Sequence, residues 1–260
     1  MHPILIHLGP LTLRTYGALV AAAFLAALHL AKKACRERHL DETFVMNLVV
    51  LLVFTGLLGA RLFFVLINAS YFIQHPWESL RIWEGGLVFY GGFIVAASFG
   101  VWYVRRHKVA VGMIADALSP SLALGQAIGR LGCFAAGCCY GRQTSLGWGV
   151  TYQDPLSLAP LGIRLHPVQI YESIGNLIIA AILWKRLSKS KPDTEGDVFW
   201  TYMLLYGVLR FVMELFRADD RGPTLGGLYP SQLIALFAIL LSSSILLAKV
   251  SMRESPSAPS

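Results

Sequence analysis

Charge is scarce in this chain. Only 14% of its 260 residues are Asp, Glu, Lys or Arg, while 55% are hydrophobic; an ordinary soluble domain carries about 25% charged residues. That imbalance excludes a soluble fold and points to an all-α polytopic membrane protein. No internal repeat and no separate soluble domain can be found along it. The missing repeat argues against a seven-helix transporter or lipid-binding and transport protein, a class that often shows paired halves with broken helices. The N-terminus has neither a basic n-region nor a cleavage site, so its first apolar segment reads as a retained helix. Cysteine is rare, with 4 residues, and their spacing matches no standard zinc pattern. No metal and no cofactor is called for.

What is present is a series of apolar segments. Seven can be drawn: Thr15–Ala31, Phe44–Ile67, Gly86–Val104, Ile114–Phe134, Val168–Leu187, Val198–Leu215 and Ser231–Lys249. Each approaches the ~20 residues that span ~30 Å of hydrocarbon as a helix. Residues 1–250 read as a single integral-membrane domain. Within it, 135–167 form a small periplasmic cap with short β pieces such as Trp148–Tyr152, inserted between helices four and five. Residues 251–260 read as a disordered cytoplasmic tail. Tyr71, Phe72, Trp77 and Trp83 give the loop after helix two the character of an interfacial segment.

The net charge of +7 is unevenly placed. Lys32, Lys33, Arg36 and Arg38 follow segment one; Arg105, Arg106 and Lys108 follow segment three. Lys185, Arg186, Lys189 and Lys191 follow segment five, and Lys249 and Arg253 open the tail. Every lysine of the chain lies in this set. By the positive-inside rule these loops are cytoplasmic, which places the N-terminus outside and the C-terminus in the cytoplasm. The basic excess is therefore topological and does not indicate nucleic-acid binding. The other side carries only arginine: Arg14, Arg61, Arg81, Arg130, Arg142, Arg164, Arg210, Arg217 and Arg221. Arginine is the residue for planar, bidentate contact with phosphate or carboxylate. The plainer reading is that they pair with acids such as Glu84, Glu172 or Glu214.

Six blocks carry candidate chemistry. Arg14 and Tyr16 sit just ahead of helix one, where a snorkelling arginine and a belt tyrosine are the plainer reading. Arg61 lies inside helix two beside Gly59 and Ala60, at about 2.5–3.5 kcal/mol on insertion scales unless it meets a partner or a wet cavity. Two Gly-Gly pairs, Gly85-Gly86 and Gly91-Gly92, flank Tyr90, whose phenol can donate, accept or carry a proton; core packing competes. Gly129-Arg130-Leu131-Gly132 leads into Cys133, Cys138, Cys139 and then Gly141-Arg142. The thiols either bridge, Cys133 with Cys138 or Cys139, or lie buried and inert. His166-Pro167-Val168-Gln169 opens helix five, with Gln169 and Glu172 one turn apart and His166 as a possible base. Tyr206, Arg210 and Glu214 fall at i, i+4 and i+8, one polar stripe on an apolar helix.

Together these blocks resemble the prolipoprotein diacylglyceryl transferase family. The likeness runs from His2-Pro3 through helix seven. It rests on Arg14-Thr15-Tyr16-Gly17, Gly59-Ala60-Arg61, the Gly-Gly pairs around Tyr90, Gly129-Arg130-x-Gly132, Gly141-Arg142, His166-Pro-x-Gln169-x-Tyr-Glu172 and Tyr206-Gly-x-x-Arg210-Phe-x-x-Glu214. The resemblance implies a seven-helix enzyme of the bacterial inner membrane with its active site towards the periplasm. It would move the diacylglyceryl group of phosphatidylglycerol onto the lipobox cysteine thiol of a prolipoprotein, forming a thioether and releasing glycerol phosphate. Its partners would be phosphatidylglycerol, the prolipoprotein signal peptide and membrane lipids. A phosphodiester needs cationic, bidentate ligands, and Arg130 and Arg210 fit. The implied catalytic set is Tyr90, Arg130, Arg210, His166, Tyr206 and Glu214. The implied substrate-binding set adds Arg14, Tyr16, Arg61, Gly91, Gly92, Gly132, Gly141, Gln169 and Glu172.

The chain departs from the family pattern at two places that bear on mechanism. Family members usually carry a histidine, proposed as a base, where this chain has Tyr90. The Gly-Arg-x-Gly block usually continues with Asn and later Glu, where this chain has Cys133 and Cys138. Tyr90 then stands as the hydrogen-bonding or proton-accepting group, with His166 second. A competing reading makes the protein a membrane thiol-disulfide oxidoreductase using Cys133, Cys138 and Cys139. It would need a second outward-facing dithiol for relay, and the chain has none outside this cluster.

Overall fold

The computed structural model describes residues 3–8, 11–82, 85–189, 194–219 and 224–254. Glu84, Trp83, Lys191, Arg221 and most of the tail read as disordered lie outside the described residues. Helices dominate. Each of the seven apolar segments is a helix: α1 (Thr15–Glu37), α2 (Glu42–Ile67), α4 (Phe89–Arg106), α5 (Val111–Ala136), α6 (Val168–Lys189), α7 (Asp197–Glu214) and α8 (Pro230–Glu254). The short α3 (Ala69–Gln74) and a 3₁₀ turn (Pro76–Leu80) fill the loop expected at the interface, with Phe72 buried and Trp77 81% exposed.

Four of these helices, α1, α2, α5 and α8, are long and apolar enough to cross a membrane. The others carry polar cargo: Glu172 and Asn176 on α6, Arg210 and Glu214 on α7, and Arg105 and Arg106 closing α4. Burial is inverted relative to a soluble protein. Phe54 and Leu66 are about 60% exposed, whereas Glu172 and Glu214 are 2% and 1% exposed. Apolar side chains facing out and carboxylates facing in is the pattern of a chain solvated by lipid.

The chain divides into two compact units, Met1–Ala34 with Ala115–Ser260, and Cys35–Ile114. In the first, small residues bring helices together. Gly125 faces Ala23 and Ala27 of α1, and a Cβ on Gly175 of α6 would meet Leu209 of α7. Ser173 donates to the Ala127 carbonyl of α5 at 2.8 Å. The fully buried carboxylate of Asp116 on α5 accepts from the Gly196 and Phe199 amides, capping α7 from a neighbouring helix. In the second unit α2 packs along α4. A Cβ on Gly59 or Gly92 would fall 2.5–2.7 Å from atoms of the facing helix. Asp41 opens α2 by accepting from the Thr43 amide at 2.9 Å.

Four strands were formed among the described residues. β1 (Ile4–Leu8) and β2 (Leu11–Arg14) make an antiparallel hairpin ahead of α1, with His7 opposite Thr12 and Leu8 opposite Leu11. The helical reading of the N-terminus passed over this hairpin, although Gly9-Pro10 between alternating apolar residues is a turn signal. β3 (Val150–Thr151) pairs with β4 (Arg164–Leu165) inside the cap, where short β pieces were expected. The cap has its own core of Tyr152, Ala159 and Leu165, with Tyr140 and Val150 packed against it.

Candidate active site

The first unit joins four of the expected site residues, Arg130, Glu172, Arg210 and Glu214, in one network. Arg130 on α5 lies with Nε 2.7 Å from Glu172 Oε2 on α6. Arg210 on α7 reaches the other oxygen, Glu172 Oε1, at 3.0 Å. It also holds Glu214 Oε2, one turn along its own helix, at 2.8 Å. Both acids are buried, while Arg130 and Arg210 remain 20% and 17% exposed. Three helices are thus cross-linked by one carboxylate that two guanidiniums share. The pairing with acids that competes with a ligand role is therefore real. It is also incomplete, because a guanidinium has five donors in a rigid fork. Arg130 meets Glu172 through Nε, and its side chain stays partly exposed.

Other predicted residues gather around this arginine. Tyr206 and the thiols of Cys133 and Cys139 lie within electrostatic reach of Arg130. Tyr16, at the start of α1, is within reach of Arg130 and all three thiols. Tyr206 stacks on Tyr202 at 5.7 Å, and Tyr202 donates to Gln126 on α5 at 3.1 Å. Gly132 faces Tyr16, where a Cβ would stand 3.3 Å from the ring. Its smallness lets α1 lie against α5. Arg14 is exposed at the hairpin's end, opposite Ile4.

Backbone pairing ties the cap to the end of α7. The Arg142 amide donates to Phe216 O at 2.7 Å and the Ala218 amide to Tyr140 O at 3.1 Å. On the other edge the His166 amide donates to Arg142 O at 2.9 Å. Residues 140–144 therefore pair along both edges, with residues 216–218 on one side and the end of β4 on the other. Gly141 is required there: a Cβ would fall 2.5 Å from the His166 carbonyl oxygen. Gln169 is fully buried and turned to the cap. Its Nε2 donates to Cys138 O at 2.7 Å and to the Tyr152 hydroxyl at 3.3 Å. Burial pushes the Tyr152 phenol up to about 12, so it stays protonated. His166 lies 3.4 Å from the Tyr171 hydroxyl and against Phe216. Trp148 donates to the same hydroxyl at 2.8 Å.

The thiols are not bridged: all four cysteines are free. Cys133, Cys138 and Cys139 nevertheless converge, with their sulfurs all within 4.8 Å of one another. The linear spacing hides this. α5 ends at Ala136, Gly137 turns back at φ 77°, and Cys139 takes φ 59°, rare for a residue with a side chain. Two left-handed residues in three fold Cys138 and Cys139 over the last turn of α5.

The second unit holds Arg61, Tyr90, Gly91 and Gly92. Arg61 is buried on α2, and among the described residues no carboxylate is paired with it. Its guanidinium donates to four main-chain carbonyls, of Glu78, Ser79, Gly85 and Gly86, at 2.5–3.2 Å. It also lies over the Phe64 and Phe72 rings. Its cost inside an apolar helix is thereby met by carbonyl dipoles, and the loop after helix two is fastened to α2. An apolar cleft of about 400 Å³ lies beside it, walled by Phe54, Leu57, Leu58, Leu62 and Leu87. Gly91 and Gly92 face α2, where a Cβ would stand 2.4 Å from Phe63 and 2.7 Å from the Gly56 carbonyl oxygen; their smallness serves helix packing. Tyr90 is 52% exposed at the start of α4.

Asp219 is a site-edge residue that sequence reading missed. It holds Arg217 through two oxygens at 2.9 and 2.6 Å, and Arg217 is itself within reach of the Cys139 thiol. Its signal was only proximity: an acid two residues beyond a buried arginine.

Arg130 and Arg210 thus share one buried carboxylate within an apolar body. A family model described as prolipoprotein diacylglyceryl transferase matches residues 3–248. The chain is 37% identical over 242 residues to the phosphatidylglycerol–prolipoprotein diacylglyceryl transferase of Clostridium tetani, covering 93% of this chain and 95% of the relative. It is 32% identical over 255 residues to the enzyme of that name from Geobacter sulfurreducens, covering 95% of each. With the one from Synechococcus elongatus it shares 32% over 245 residues, 91% of this chain and 83% of the relative. The chain belongs to the prolipoprotein diacylglyceryl transferase family.

Proposed function

We propose that this protein transfers the diacylglyceryl group of phosphatidylglycerol to the lipobox cysteine of a prolipoprotein. The observation that carries the reading is the Arg130–Glu172–Arg210–Glu214 network, buried at its acids and open at its arginines. The donor's phosphodiester, a monoanion, docks on the exposed edges of Arg130 and Arg210. The acceptor sulfur attacks the glyceryl carbon, and the C–O bond to phosphate breaks. Its electron pair stays on the phosphate, which leaves as a more highly charged monoester. Because charge grows on that oxygen, the same arginines bind the transition state more tightly than the substrate. Glu172 keeps both guanidiniums aligned, and Glu214 fixes Arg210 from below. Tyr206 and Tyr16 lie at the edge where a headgroup meets the arginines.

The same reading makes residues 1–250 one membrane domain of seven crossings, with N-terminus outside, C-terminus cytoplasmic and the 135–167 cap over the outer end. The site then faces the periplasmic side of the inner membrane. Lysine confinement to alternate loops supports this orientation. Tyr90, in the place of the usual histidine, serves as the hydrogen-bonding or proton-accepting group, and His166 is the alternative for that role. Tyr90→Phe should lower turnover at least about tenfold, the low end of what one positioned hydrogen bond contributes to a transition state. Full activity in that variant removes Tyr90 from the mechanism.

The reaction itself is tested by incubating membranes containing the protein with phosphatidylglycerol and a lipobox peptide. The expected result is a peptide heavier by one diacylglyceryl group, absent with a serine-substituted peptide. No gain under conditions where the Clostridium tetani relative works overturns the assignment.

A further inference from the structure

Three free thiols converge beside the arginine network. Their sulfurs lie within 4.8 Å of one another. Three thiolates 2.3 Å from a shared tetrahedral zinc stand about 3.8 Å apart, so small side-chain rotations close the cluster on one ion. The loop that gathers them is built for it. Gly137 and Cys139 adopt left-handed backbone, and Cys138 Sγ points back to the Cys133 carbonyl at 3.7 Å. The buried Gln169 pins the Cys138 carbonyl from below. A residue with a side chain held at positive φ is costly and persists where the surroundings enforce it. Cys133 sits one turn beyond Arg130 on the same face of α5. The Arg130 and Arg217 guanidiniums reach the Cys139 sulfur electrostatically, offsetting the negative charge of three thiolates. A disulfide would leave one of the three sulfurs unpaired, whereas a d¹⁰ cation uses all three.

We propose that Cys133, Cys138 and Cys139 bind one Zn(II), whose fourth position takes the sulfur of the acceptor cysteine. Three protein ligands and one open position is the pattern of a catalytic zinc site. The inference rests on the transferase reading and supplies what that chemistry needs. An unperturbed thiol, pKa about 8.5, is only a few per cent thiolate at pH 7, and the usual histidine is replaced by Tyr90. Zinc-bound sulfur is deprotonated outright. The acceptor S–H gives its proton to water as the Zn–S bond forms. That sulfur's electron pair then forms the C–S bond while the C–O bond to phosphate breaks, its pair leaving with the phosphate. The product thioether is neutral and a weaker ligand, so it departs. No electron changes hands and the zinc stays divalent.

The test uses the purified full chain. Zinc measured per chain by elemental analysis should be one, and Cys133→Ser, Cys138→Ser and Cys139→Ser should each lose it, while Cys35→Ser keeps it. Co(II) in place of zinc should show thiolate charge-transfer and tetrahedral ligand-field bands. Those bands should shift on adding lipobox peptide and stay fixed with its serine analogue, a readout that needs no variant to fold. Removing the metal with a chelator should cost about 30-fold in turnover at pH 7, the ratio set by a thiol pKa of about 8.5. The deficit should shrink roughly tenfold per pH unit towards 8.5 and be repaired by Zn(II). A chain that transfers at full rate without metal, or that carries a disulfide and no zinc, overturns this inference and leaves the transferase standing. A chain that binds zinc and peptide yet never modifies the peptide overturns the transferase reading instead.

Discussion

Arg61 and Arg210 bring the same guanidinium into two different helical units and meet opposite company. Arg61 spends its donors on four main-chain carbonyls and, among the described residues, pairs with no acid. Arg210 faces two carboxylates and stays 17% exposed. Carbonyl dipoles satisfy a cation while leaving its charge in place, and their number fixes its geometry; such an arginine is a fastener. Two acids neutralise two arginines only while nothing else competes. When an anion arrives at the open edge, charge can be redistributed over the four groups without moving a helix. The difference separates an arginine that holds structure from one able to hold a ligand, although both stand as isolated cations in apolar sequence.

The largest expected effect breaks the second half of that comparison. Arg210→Ala should reduce transferase turnover by about 10³-fold, the upper end of what one transition-state donor supplies. It also takes from the buried Glu172 and Glu214 the guanidinium that both hold. Arg210→Lys should recover little of the loss, because a point charge cannot serve two carboxylates and a phosphate together. A lysine variant within tenfold of the parent would mean that charge alone, and not the fork, is at work. Arg61→Ala probes the other half. Losing a charged donor to buried carbonyls should lower thermal stability in detergent by about 3 kcal/mol. Activity per folded molecule should fall much less than in Arg210→Ala. An equal loss in both, at equal folded amounts, erases the distinction.

The sequence made the helices and the polar stripe legible because both depend on local periodicity. Seven apolar segments became seven helices, and Tyr206, Arg210 and Glu214 share a face since i, i+4 and i+8 must. Glu172 as the shared partner of two arginines was less visible. The acid could be named, but only tertiary packing of α5, α6 and α7 decides which arginines reach it. Arg61 is the clearest gap. Whether a buried cation meets acid, lipid phosphate or backbone depends on where a loop some twenty residues away returns. The Cys138 and Cys139 turn was equally hidden, because it rests on one non-glycine residue in left-handed backbone, which composition does not reveal. The N-terminal hairpin carried its signal openly, in an apolar run around Gly-Pro, and was outweighed by the helical pattern that follows.

Glycines sharpen the same contrast at smaller scale. A Cβ on Gly91, in the unit of Arg61, would stand 2.4 Å from Phe63 Cβ and Cγ, inside the α2–α4 contact. Gly91→Ala should therefore force the helices apart at about 1–3 kcal/mol, the range for overpacking. Gly132, in the unit of Arg210, is looser. Its Cβ would meet Tyr16 at 3.3–3.4 Å and Leu19 at 3.5 Å, so the tyrosine ring must give by a few tenths of an ångström. Alanine also gains about 1 kcal/mol of helix propensity over glycine. The two terms nearly cancel, and Gly132→Ala should change stability by less than about 1 kcal/mol. Its effect belongs to the site instead: a displaced Tyr16 should raise the KM for phosphatidylglycerol more than it lowers kcat. A large stability loss with an unchanged KM would show that Gly132 is a packing glycine like Gly91, and that the two units use their small residues alike.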